Sequence, residues 1–463
     1  MKIAFFTPEA VPYAKTGGLA DVTGALSRAL CEAGHEVIVL LPAYGKMTVS
    51  GSALEKAMPD ISSHRQEGGA VFYFLHNEEY FGREGFYGSS AGDYPDNLER
   101  FAFFCRRGLR LLEQLDFSPD IVHCHDWQAA LVPVYLKSLE AGNLFFRKTA
   151  SVLTIHNLAY QGVFPAGDFP SSGLDAGMFS VDAMEFYGKV NLLKGGLIFS
   201  DVLTTVSPTY SRQIQGEEFG CGLEGILSRR AESLRGILNG LDYSVWNPSV
   251  DREIDFNYDF GRMEGKAGNK KTLRKICGLR DEPEAPLLAL VSRLAEQKGV
   301  DLIASLLPEI SEKGMQTVIL GTGEEKYHRL LKKTAADHPG IVSLHLKFDE
   351  SLAHKIYAGS DIFLMPSRYE PCGLSQMIAL RYGTVPVVSN TGGLADTVSA
   401  ENGFVMESLS REQLSACVAK AALLYRNAEE WRRLAERGMR CRFSWQAAAG
   451  EYVSLYEKTL RGK

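Results

Sequence analysis

Several features that mark small secreted or membrane-spanning proteins are missing from this sequence of 463 residues. Its eight cysteines are scattered without a C-x-x-C pair, which indicates reduced thiols in a cytosol rather than a disulfide framework or a zinc site. No apolar run approaches the roughly 18 residues of a membrane span, and the N-terminus has no signal-peptide core. The sequence therefore predicts a cytoplasmic protein without a membrane partner.

An excess of positive charge is missing too. Fifty Lys and Arg residues stand against 56 Asp and Glu residues, which leaves a net charge of -6 and predicts no nucleic-acid partner. Low-complexity tracts are likewise not found. Hydrophobic residues make up 45% of the chain and charged residues 23%, which is typical of a globular protein with a large core. The length predicts about three compact units or two large ones.

Short apolar runs rich in Val, Ile and Phe recur in two blocks and predict buried parallel strands. In the first block they cover residues 3–8, 36–42, 70–76, 121–125, 151–157 and 202–208. In the second block they cover residues 286–294, 317–323, 341–348, 361–367 and 384–390. Helical stretches alternate with them, for example residues 19–33, which Gly34 should end in a left-handed conformation.

The alternation predicts an α/β fold of two Rossmann-like, doubly wound domains that face each other across a cleft. We expect an N-terminal domain over residues 1–242 and a C-terminal domain over residues 243–444, hinged near residues 240–250. The amphipathic helical stretch at residues 445–463 is expected to pack back on the first domain.

A hexapeptide occurs twice, as Thr16-Gly-Gly-Leu-Ala-Asp21 and as Thr391-Gly-Gly-Leu-Ala-Asp396. Each copy follows an apolar strand and precedes a helix, the position at which open parallel sheets bind ligands. Free helix N–H groups favour an anion there, and glycines let a ligand approach the backbone. Lys15 and Asp21 add charges of both signs. A tight strand-to-helix turn is the structural alternative.

Charged residues follow two strands of the second block. Arg293 and Lys298 come five residues apart after residues 286–294, and two cations so placed can clamp a diphosphate. Glu370 follows residues 361–367 and can bind sugar hydroxyls, while the next helix start can bind a phosphate. The alternatives are a solvated basic loop and a helix-capping role for Glu370.

Polar and aromatic residues end two strands of the first block. His156 and Asn157 follow one strand, and His125, Asp126 and Trp127 follow the other. Carbohydrate sites combine such hydrogen-bonding groups with an aromatic face. A structural histidine is the alternative. The spacing of His123 and His125 suggests a metal only superficially, because no third ligand is nearby.

These residues resemble the bacterial glycogen synthases and the plant starch synthases. The resemblance covers the whole chain, from KIAFFTPEAVPYAKTGGLADV through IHNLAYQG, GILNGLD, SRLAEQKG and SRYEPCGLSQ to TGGLADTV and FSWQ. It implies a glycosyltransferase of the GT-B type that extends an α-1,4-glucan of glycogen with glucose from ADP-glucose. The anomeric configuration would be retained.

The resemblance implies a role for each matching residue. Arg293 and Lys298 would neutralise the leaving diphosphate, Glu370 would bind the glucose hydroxyls, and His156 would lie against the reacting sugar. The further donor-site residues would be Lys15, Gly18, Asp21, Asn239, Cys372, Gly373 and Leu374, with Phe348 stacked on adenine. The acceptor would contact Tyr94, Asp126, Trp127 and Asn157.

Retention can arise from two inversions through a covalent intermediate, which needs a carboxylate on the far face of the sugar. Asp21 and Glu370 already have other predicted tasks, so we favour front-face displacement. We also expect the two domains to close over the substrate. No metal or other cofactor is expected, since cationic side chains and helix starts supply the positive potential. Whether the chain forms a homo-oligomer stays open.

Three other functions compete with this one. A related two-domain enzyme would use a UDP-sugar and another acceptor such as fructose or a phosphorylated sugar. A non-catalytic glucan-binding protein would keep Trp127 and Tyr94 but would not need Arg293, Lys298 and Glu370 together. A dinucleotide-dependent oxidoreductase would need a G-x-G-x-x-G motif after the first strand, which is missing.

Overall fold

The computed structural model describes residues 1–47, 54–66, 68–89 and 92–463. The chain divides into two units. The N-terminal unit comprises Met1–Gly240 together with Trp445–Lys463, and the C-terminal unit comprises Leu241–Ser444. Within the described ranges, no helix is both long enough and apolar enough to cross a bilayer.

The N-terminal unit alternates strands and helices along most of its length. Its strands are β1 (Lys2–Phe6), β2 (Glu36–Pro42), β3 (Glu55–Met58), β4 (Ile61–Arg65), β5 (Val71–Leu75), β6 (Gly88–Ser89), β7 (Gly92–Asp93), β8 (Ile121–His125), β9 (Ala150–Ile155), β10 (Val163–Pro165), β11 (Glu185–Phe186), β12 (Lys189–Asn191), β13 (Val202–Thr205) and β14 (Leu234–Gly236). Its first helices are α1 (Gly18–Glu32), α2 (Glu78–Phe81), α3 (Asn97–Gln114), α4 (Asp126–Ala129), α5 (Leu131–Lys137), α6 (Leu192–Phe199), α7 (Pro208–Gln213) and α8 (Glu224–Arg229).

Nine of these strands form one sheet in the order β14-β13-β9-β8-β1-β2-β5-β4-β3. The strands from β14 to β5 are parallel, and β4 and β3 add an antiparallel edge. Chain order reverses between β1 and β8, since β2 lies on one side of β1 and β8 on the other. Such a reversal opens a crevice at the carboxyl ends of the two strands, which is where open α/β sheets bind ligands.

The C-terminal unit also alternates strands and helices along the chain. Its strands are β15 (Leu287–Val291), β16 (Gln316–Leu320), β17 (Val342–His345), β18 (Ile362–Met365), β19 (Val385–Ser389) and β20 (Phe404–Met406). Its helices are α9 (Glu264–Ile276), α10 (Val300–Glu312), α11 (Glu325–Ala336), α12 (Glu350–Gly359), α13 (Ser375–Arg381), α14 (Gly392–Thr397), α15 (Arg411–Tyr425) and α16 (Ala428–Arg440).

The six strands of the C-terminal unit form a parallel sheet in the order β17-β16-β15-β18-β19-β20. Here the order reverses between β15 and β18, so the second crevice lies at the carboxyl ends of these two strands. Apolar clusters cover both faces of the sheet, one containing Leu288 and Leu290 and the other Leu287 and Ala289. Because both faces of the sheet are buried, successive residues of these strands are apolar.

The last helix, α17 (Trp445–Arg461), belongs to the N-terminal unit. Trp445, Tyr452 and Tyr456 are buried in the same apolar cluster as Ile3 and Phe5 of β1. This helix packs together with α1 against one face of the nine-stranded sheet, and its burial removes large aromatic side chains from water.

The sheet of the N-terminal unit is mixed, whereas the sequence predicts only parallel strands. The strands β3 and β4 were not expected, because Ile61-Ser-Ser-His-Arg65 contains a single apolar residue and gives no buried-strand signal. β3 is the edge strand and β4 lies between it and β5. Polar residues are tolerated near the edge of a sheet, where strands are less buried. Helix α1 agrees closely with expectation, and Gly34 follows it with a φ of 87°.

Candidate active site

A buried carboxylate shapes the loop between β1 and α1. Glu9 is 4% exposed and accepts hydrogen bonds from the backbone and hydroxyl of Thr16, from the backbone N–H of Gly17 and from the Tyr87 hydroxyl. Its backbone oxygen also accepts from Thr23 of α1. Because every one of these bonds ends on the same residue, Glu9 sets the path of the loop that carries Lys15 and Gly18.

Lys15 and Asp21 form an ion pair across this loop. The Lys15 Nζ atom lies 2.7 Å from Asp21 Oδ1, and both side chains remain more than a third exposed. An exposed ion pair contributes little to stability. Its main effect is to fix the positions of the two charged groups. Both charges stand beside the start of α1, near the carboxyl end of β1.

The ends of β8 and β9 bring Asp126 and His156 together. Oδ1 of Asp126 accepts a hydrogen bond of 2.7 Å from the backbone N–H of His156. Asp126 adopts a left-handed backbone conformation with φ 57°, which is uncommon for a residue other than glycine. Such strain persists only where the surroundings hold it, and it is frequent at functional sites.

Burial changes the protonation of both side chains. It raises the pKa of Asp126 to about 7, against the opposing effect of the backbone N–H groups of His156 and Asn157. Glu9 raises this pKa further through its negative charge. Burial lowers the pKa of His156 to about 3. His156 is therefore a neutral imidazole near pH 7, while Asp126 is divided between its two protonation states.

Two further histidines stand behind His156. Nδ1 of His125 lies 3.0 Å from Nε2 of His156, and the rings of His123 and His125 are 4.3 Å apart. His123 bonds Tyr456 of α17 through Nδ1 and Thr154 through Nε2. Within the described ranges, no group of three or more His, Cys, Asp or Glu side chains is arranged to hold a metal ion.

The predicted acceptor residues differ in their surroundings. Trp127 is 8% exposed and packs against Tyr87, Phe101 and Phe164, which are contacts of a core residue. Tyr94 is half-buried, with the guanidinium of Arg83 and that of Arg100 each 4.9 Å from its ring. The prediction that these two aromatic rings contact a glucan stays a prediction.

The two predicted asparagines also lie in the N-terminal unit. The side chain of Asn157 turns back on its own loop and accepts from the backbone N–H of Ala159. Asn239 is 7% exposed, and its Oδ1 is buried without a hydrogen-bond partner among the described residues. A buried polar atom without a partner is costly, so it marks a place where a bound molecule can supply one.

The crevice of the C-terminal unit holds a buried ion pair. Lys298 follows β15 and Glu370 follows β18, and Lys298 Nζ lies 2.5 Å from Glu370 Oε2. The same Glu370 oxygen accepts from the Ser367 hydroxyl at 3.1 Å. Arg293, five residues before Lys298, is exposed and forms no ion pair within the part of the chain that the structure describes. One cation is thus held in place, and the other is accessible.

The segment after Glu370 leads into α13 through a tight turn. Gly373 has a φ of 72°, which favours glycine, and Gln376 donates to the backbone oxygens of Cys372 and Gly373. The N-cap of α13 is Leu374, and no side chain caps it. The structure gives the helix-capping alternative for Glu370 no support at α13, and Oε2 of Glu370 accepts from Lys298 and Ser367 instead.

The two copies of the repeated hexapeptide differ in what surrounds their glycines. A Cβ atom added at Gly17 or Gly18 would meet nothing within 4 Å in the described part of the chain. A Cβ atom at Gly392 would lie 1.8 Å from the backbone oxygen of Glu370, and one at Gly393 would lie 2.1 Å from that of Cys372. The first pair leaves open space beside α1, whereas the second lets α14 pack against the Glu370 segment.

Phe348 lies apart from these contacts. It follows β17 and is 81% exposed. An exposed aromatic ring is able to stack on a base, and its assignment to adenine stays a prediction.

Two residues of these sites were not among those selected from the sequence. Glu9 is the third residue after β1, and Ser367 is the second residue after β18, the strand that precedes Glu370. Both stand at the carboxyl end of a strand beside a reversal of strand order, and that position is the signal that could have identified them.

Two family models match parts of the chain. A family model described as the starch synthase catalytic domain matches residues 2–229, and one described as glycosyl transferases group 1 matches residues 272–438. A glycogen synthase of Geotalea uraniireducens (strain Rf4) is 48% identical over 100% of both chains. The catalytic domain of starch synthase IV from Arabidopsis thaliana, solved bound to ADP and acarbose, is 35% identical, with a TM-score of 0.90 and 99% of each chain covered.

A more distant structure shares the fold alone. Sucrose-phosphate synthase from Thermosynechococcus elongatus is 16% identical over 100% of each chain, with a TM-score of 0.64. The two doubly wound sheets, one mixed and one parallel, with their strand-order reversals are those of the GT-B glycosyltransferase fold, built from two Rossmann-like domains. With full-length identity near one half and residues 2–229 matching the catalytic-domain model, the chain belongs to the family of glycogen and starch synthases.

Proposed function

We propose that this chain transfers glucose from ADP-glucose to the non-reducing end of an α-1,4-glucan and retains the anomeric configuration. The buried pair of Lys298 and Glu370, with accessible Arg293 on the same loop as Lys298, is the observation that carries the proposal. A sugar nucleotide needs cations at its diphosphate and a hydrogen-bond acceptor at its sugar hydroxyls. The crevice between β15 and β18 offers both.

The cations assist the chemical step as well as binding. When the bond from the anomeric carbon to the diphosphate breaks, the electron pair leaves with the ADP oxygen. Arg293 and Lys298 stabilise that charge, and the helix start at Cys372, Gly373 and Leu374 adds N–H donors. Since Lys298 is held by Glu370, its charge is placed before the reaction begins.

The N-terminal unit supplies neutral and weakly acidic groups for the sugar and the acceptor. His156 is neutral because burial lowers its pKa to about 3, so it hydrogen-bonds a sugar hydroxyl without adding charge. Asn239 offers its unpartnered Oδ1 to the glucose. We expect Lys15, Gly18 and Asp21 to contact the donor, and Asp126 with Asn157 to contact the acceptor.

Front-face displacement accounts for retention. The oxygen of the acceptor 4-hydroxyl forms a bond to the anomeric carbon on the side from which the diphosphate departs. Its proton passes to the departing phosphate oxygen, so the products are the extended glucan and ADP. The carboxylates near the sites are already engaged, which favours this path over a covalent intermediate. Asp21 is paired with Lys15, Glu370 with Lys298, Glu9 with Thr16, and Asp126 with the backbone N–H of His156.

We further propose that the reaction needs no metal or other cofactor. Side-chain cations and helix N–H groups supply the positive potential that a divalent ion provides in other phosphate-transferring sites. Activity should therefore persist after extensive dialysis against a chelator. A requirement for added Mg²⁺ would contradict this part of the proposal.

The function is tested by glucose incorporation. The purified protein is incubated with radiolabelled ADP-glucose or UDP-glucose and glycogen, and the label bound to polymer is counted. We expect incorporation from ADP-glucose, with kcat/KM at least about tenfold above that for UDP-glucose, or about 1.4 kcal/mol of discrimination. An exo-acting α-1,4-glucosidase should release the label again, since retention gives an α linkage.

Each competing function gives a different result. A UDP-sugar enzyme reverses the donor preference or places label in a small soluble product, and a glucan-binding protein binds glycogen without incorporating label. Lys313→Ala is the control variant, because Lys313 forms an exposed ion pair with Glu309 on α10. Its incorporation rate should match the parent protein.

A further inference from the structure

A pair of neutral histidines lies at the carboxyl ends of β8 and β9 in the N-terminal unit. Nδ1 of His125 and Nε2 of His156 are 3.0 Å apart, which is a hydrogen-bond distance between two ring nitrogens. Burial lowers the pKa of both imidazoles far below neutral, so each ring carries a single proton. One of the two facing nitrogens therefore carries a proton and donates the hydrogen bond, and the other nitrogen accepts that bond.

The surroundings of His125 decide which nitrogen donates. Nε2 of His125 is buried and has no hydrogen-bond partner among the residues described. If His156 donated to His125, the single proton of His125 would have to sit on this buried Nε2 without an acceptor. A buried N–H group without a partner is costly and rare. The lower-energy arrangement places the proton of His125 on Nδ1, from which it is donated to His156.

We propose that His125 is a positioning residue that fixes the tautomer of His156. Because Nε2 of His156 accepts from His125, its proton is confined to Nδ1, the nitrogen that makes no hydrogen bond to any residue in the described ranges. His156 thus presents a donor to a bound substrate oxygen. This inference deepens the proposed function and rests on it for the identity of the substrate.

The packing behind His125 holds the ring in this orientation. The ring of His123 lies 4.3 Å from it and that of Phe5 lies 5.0 Å from it. His123 is itself anchored by hydrogen bonds of 2.7 Å to Tyr456 and 2.6 Å to Thr154. A ring so confined cannot turn its free nitrogen toward His156 without disturbing the core, since buried side chains occupy close-packed rotamers.

The tautomer can be observed directly and without substrate. Protein labelled with ¹⁵N-histidine has ten labelled side chains, and a spectrum of His156→Gln identifies the signals of His156. We expect a protonated Nδ1 and a bare Nε2 for His156. A protonated Nε2 would overturn the proposal, whether or not the protein transfers glucose, so the result is independent of the activity assay.

Kinetics of three variants give the second test. His125→Leu should lower kcat by about 10- to 100-fold, the usual effect of losing the residue that orients a functional histidine. The KM for ADP-glucose should change by less than about threefold, since donor binding rests mainly on other residues. His125→Asn places an amide donor near the position of Nδ1 and should restore most of the loss.

His123→Phe is the matched control. It removes two buried hydrogen bonds from the neighbouring position on the same strand face but keeps a ring against His125. We expect it to lower the melting temperature while keeping kcat within about threefold of the parent. Equal kcat losses in His123→Phe and His125→Leu, or no rescue by His125→Asn, would show a merely structural role and overturn the proposal.

Discussion

Lys298 and Glu370 depend on each other for their burial. Their side chains are 17% and 8% exposed, and Ser367 also donates a hydrogen bond to the paired oxygen of Glu370. A buried carboxylate that loses its cation keeps its desolvation penalty without compensation, at a cost of about 3–5 kcal/mol. The two residues proposed for the reaction therefore also contribute to the stability of the C-terminal unit.

Removing the cation alone should lower the free energy of unfolding more than removing both charges. Lys298→Ala leaves the Glu370 carboxylate buried and unpaired, so we expect a loss of about 3–5 kcal/mol in unfolding free energy. The double variant Lys298→Ala with Glu370→Gln should recover much of that loss. Both should reduce kcat by at least about 100-fold, because both lack the cation at the leaving group. Denaturant unfolding and glucose incorporation measure the two effects.

The double variant separates stability from catalysis. If it regains both stability and turnover, the pair is structural and Lys298 has no role at the diphosphate. The control Lys313→Ala breaks an exposed pair on α10 and should cost no more than about 1 kcal/mol.

Residue chemistry explains why some side chains could be selected from the sequence and others could not. Lys298 and Glu370 each follow closely after an apolar run. A charged residue at the end of a predicted strand indicated a candidate site residue in both cases. The bond between His125 and His156 joins two strands that are neighbours only in the folded sheet. Nothing in the local sequence indicates which ring nitrogens face each other, because that depends on the packing of both strands.

At the scale of elements, one hexapeptide has two structural uses. In the N-terminal unit, Gly17 and Gly18 begin the long helix α1 and border open space. In the C-terminal unit, Gly392 and Gly393 begin the short helix α14 and touch the backbone of Glu370 and Cys372. Local sequence sets the strand-to-helix turn in both places, and the neighbouring loop decides whether the glycines leave room or fill it.

Alanine substitution should distinguish these uses. Gly18→Ala meets no neighbour and improves helix propensity, so stability should stay the same or rise by up to about 1 kcal/mol. Its methyl group would narrow the proposed donor site and lower kcat/KM for ADP-glucose by about tenfold. Gly393→Ala would press on the oxygen of Cys372 and should cost about 1–3 kcal/mol in stability.

Thermal unfolding and donor kinetics on the two alanine variants measure these effects. Equal destabilisation by both substitutions would show that the first glycine pair is also required by packing. Unchanged donor kinetics in Gly18→Ala would remove the first loop from the donor site.

Strand prediction succeeded where burial on both faces leaves a continuous apolar signal. Residues 36–42 and 121–125 match β2 and β8 to the residue. The short strands β14 and β20 were not predicted, since three-residue strands are too brief for a pattern. The small antiparallel sheet of β10, β12 and β11 was also not predicted, because its pairing is set by tertiary contacts rather than by an alternating sequence.

At the scale of the whole molecule, three buried histidines make the N-terminal unit sensitive to acid. The pKa of His123 and that of His156 are lowered to about 3, and that of His125 lies well below its usual value. Unfolded histidine titrates near pH 6.5. Below that pH the unfolded chain binds protons that the folded chain does not, so stability falls as the pH falls.

Asp126 opposes this effect. Its folded pKa of about 7 lies above the value of about 3.9 for an unfolded aspartate, so the folded chain binds its proton first and gains stability as the pH falls toward 4. Each group contributes up to about 1.4 kcal/mol per pH unit. Three histidines against one aspartate leave a net loss of stability as the pH falls from 6 to 5.

Calorimetric unfolding between pH 7 and pH 5 measures this balance. We expect the melting temperature of the N-terminal unit to fall across the range, less steeply in His123→Phe and more steeply in Asp126→Asn. A melting temperature independent of pH in the parent protein would show that these side chains titrate normally in the fold.

The placement of α17 has a consequence for synthesis. The core around Phe5 is completed by Tyr452 and Tyr456, and the hydroxyl of Tyr456 bonds His123 across a sequence separation of 333 residues. A ribosome releases the C-terminal unit in full before it releases this helix. Until then, α1 covers part of this face of the sheet, and the part that α17 covers stays exposed while the second half of the chain is translated. Nascent chains stalled before residue 445 should engage chaperones through that exposed part of the sheet.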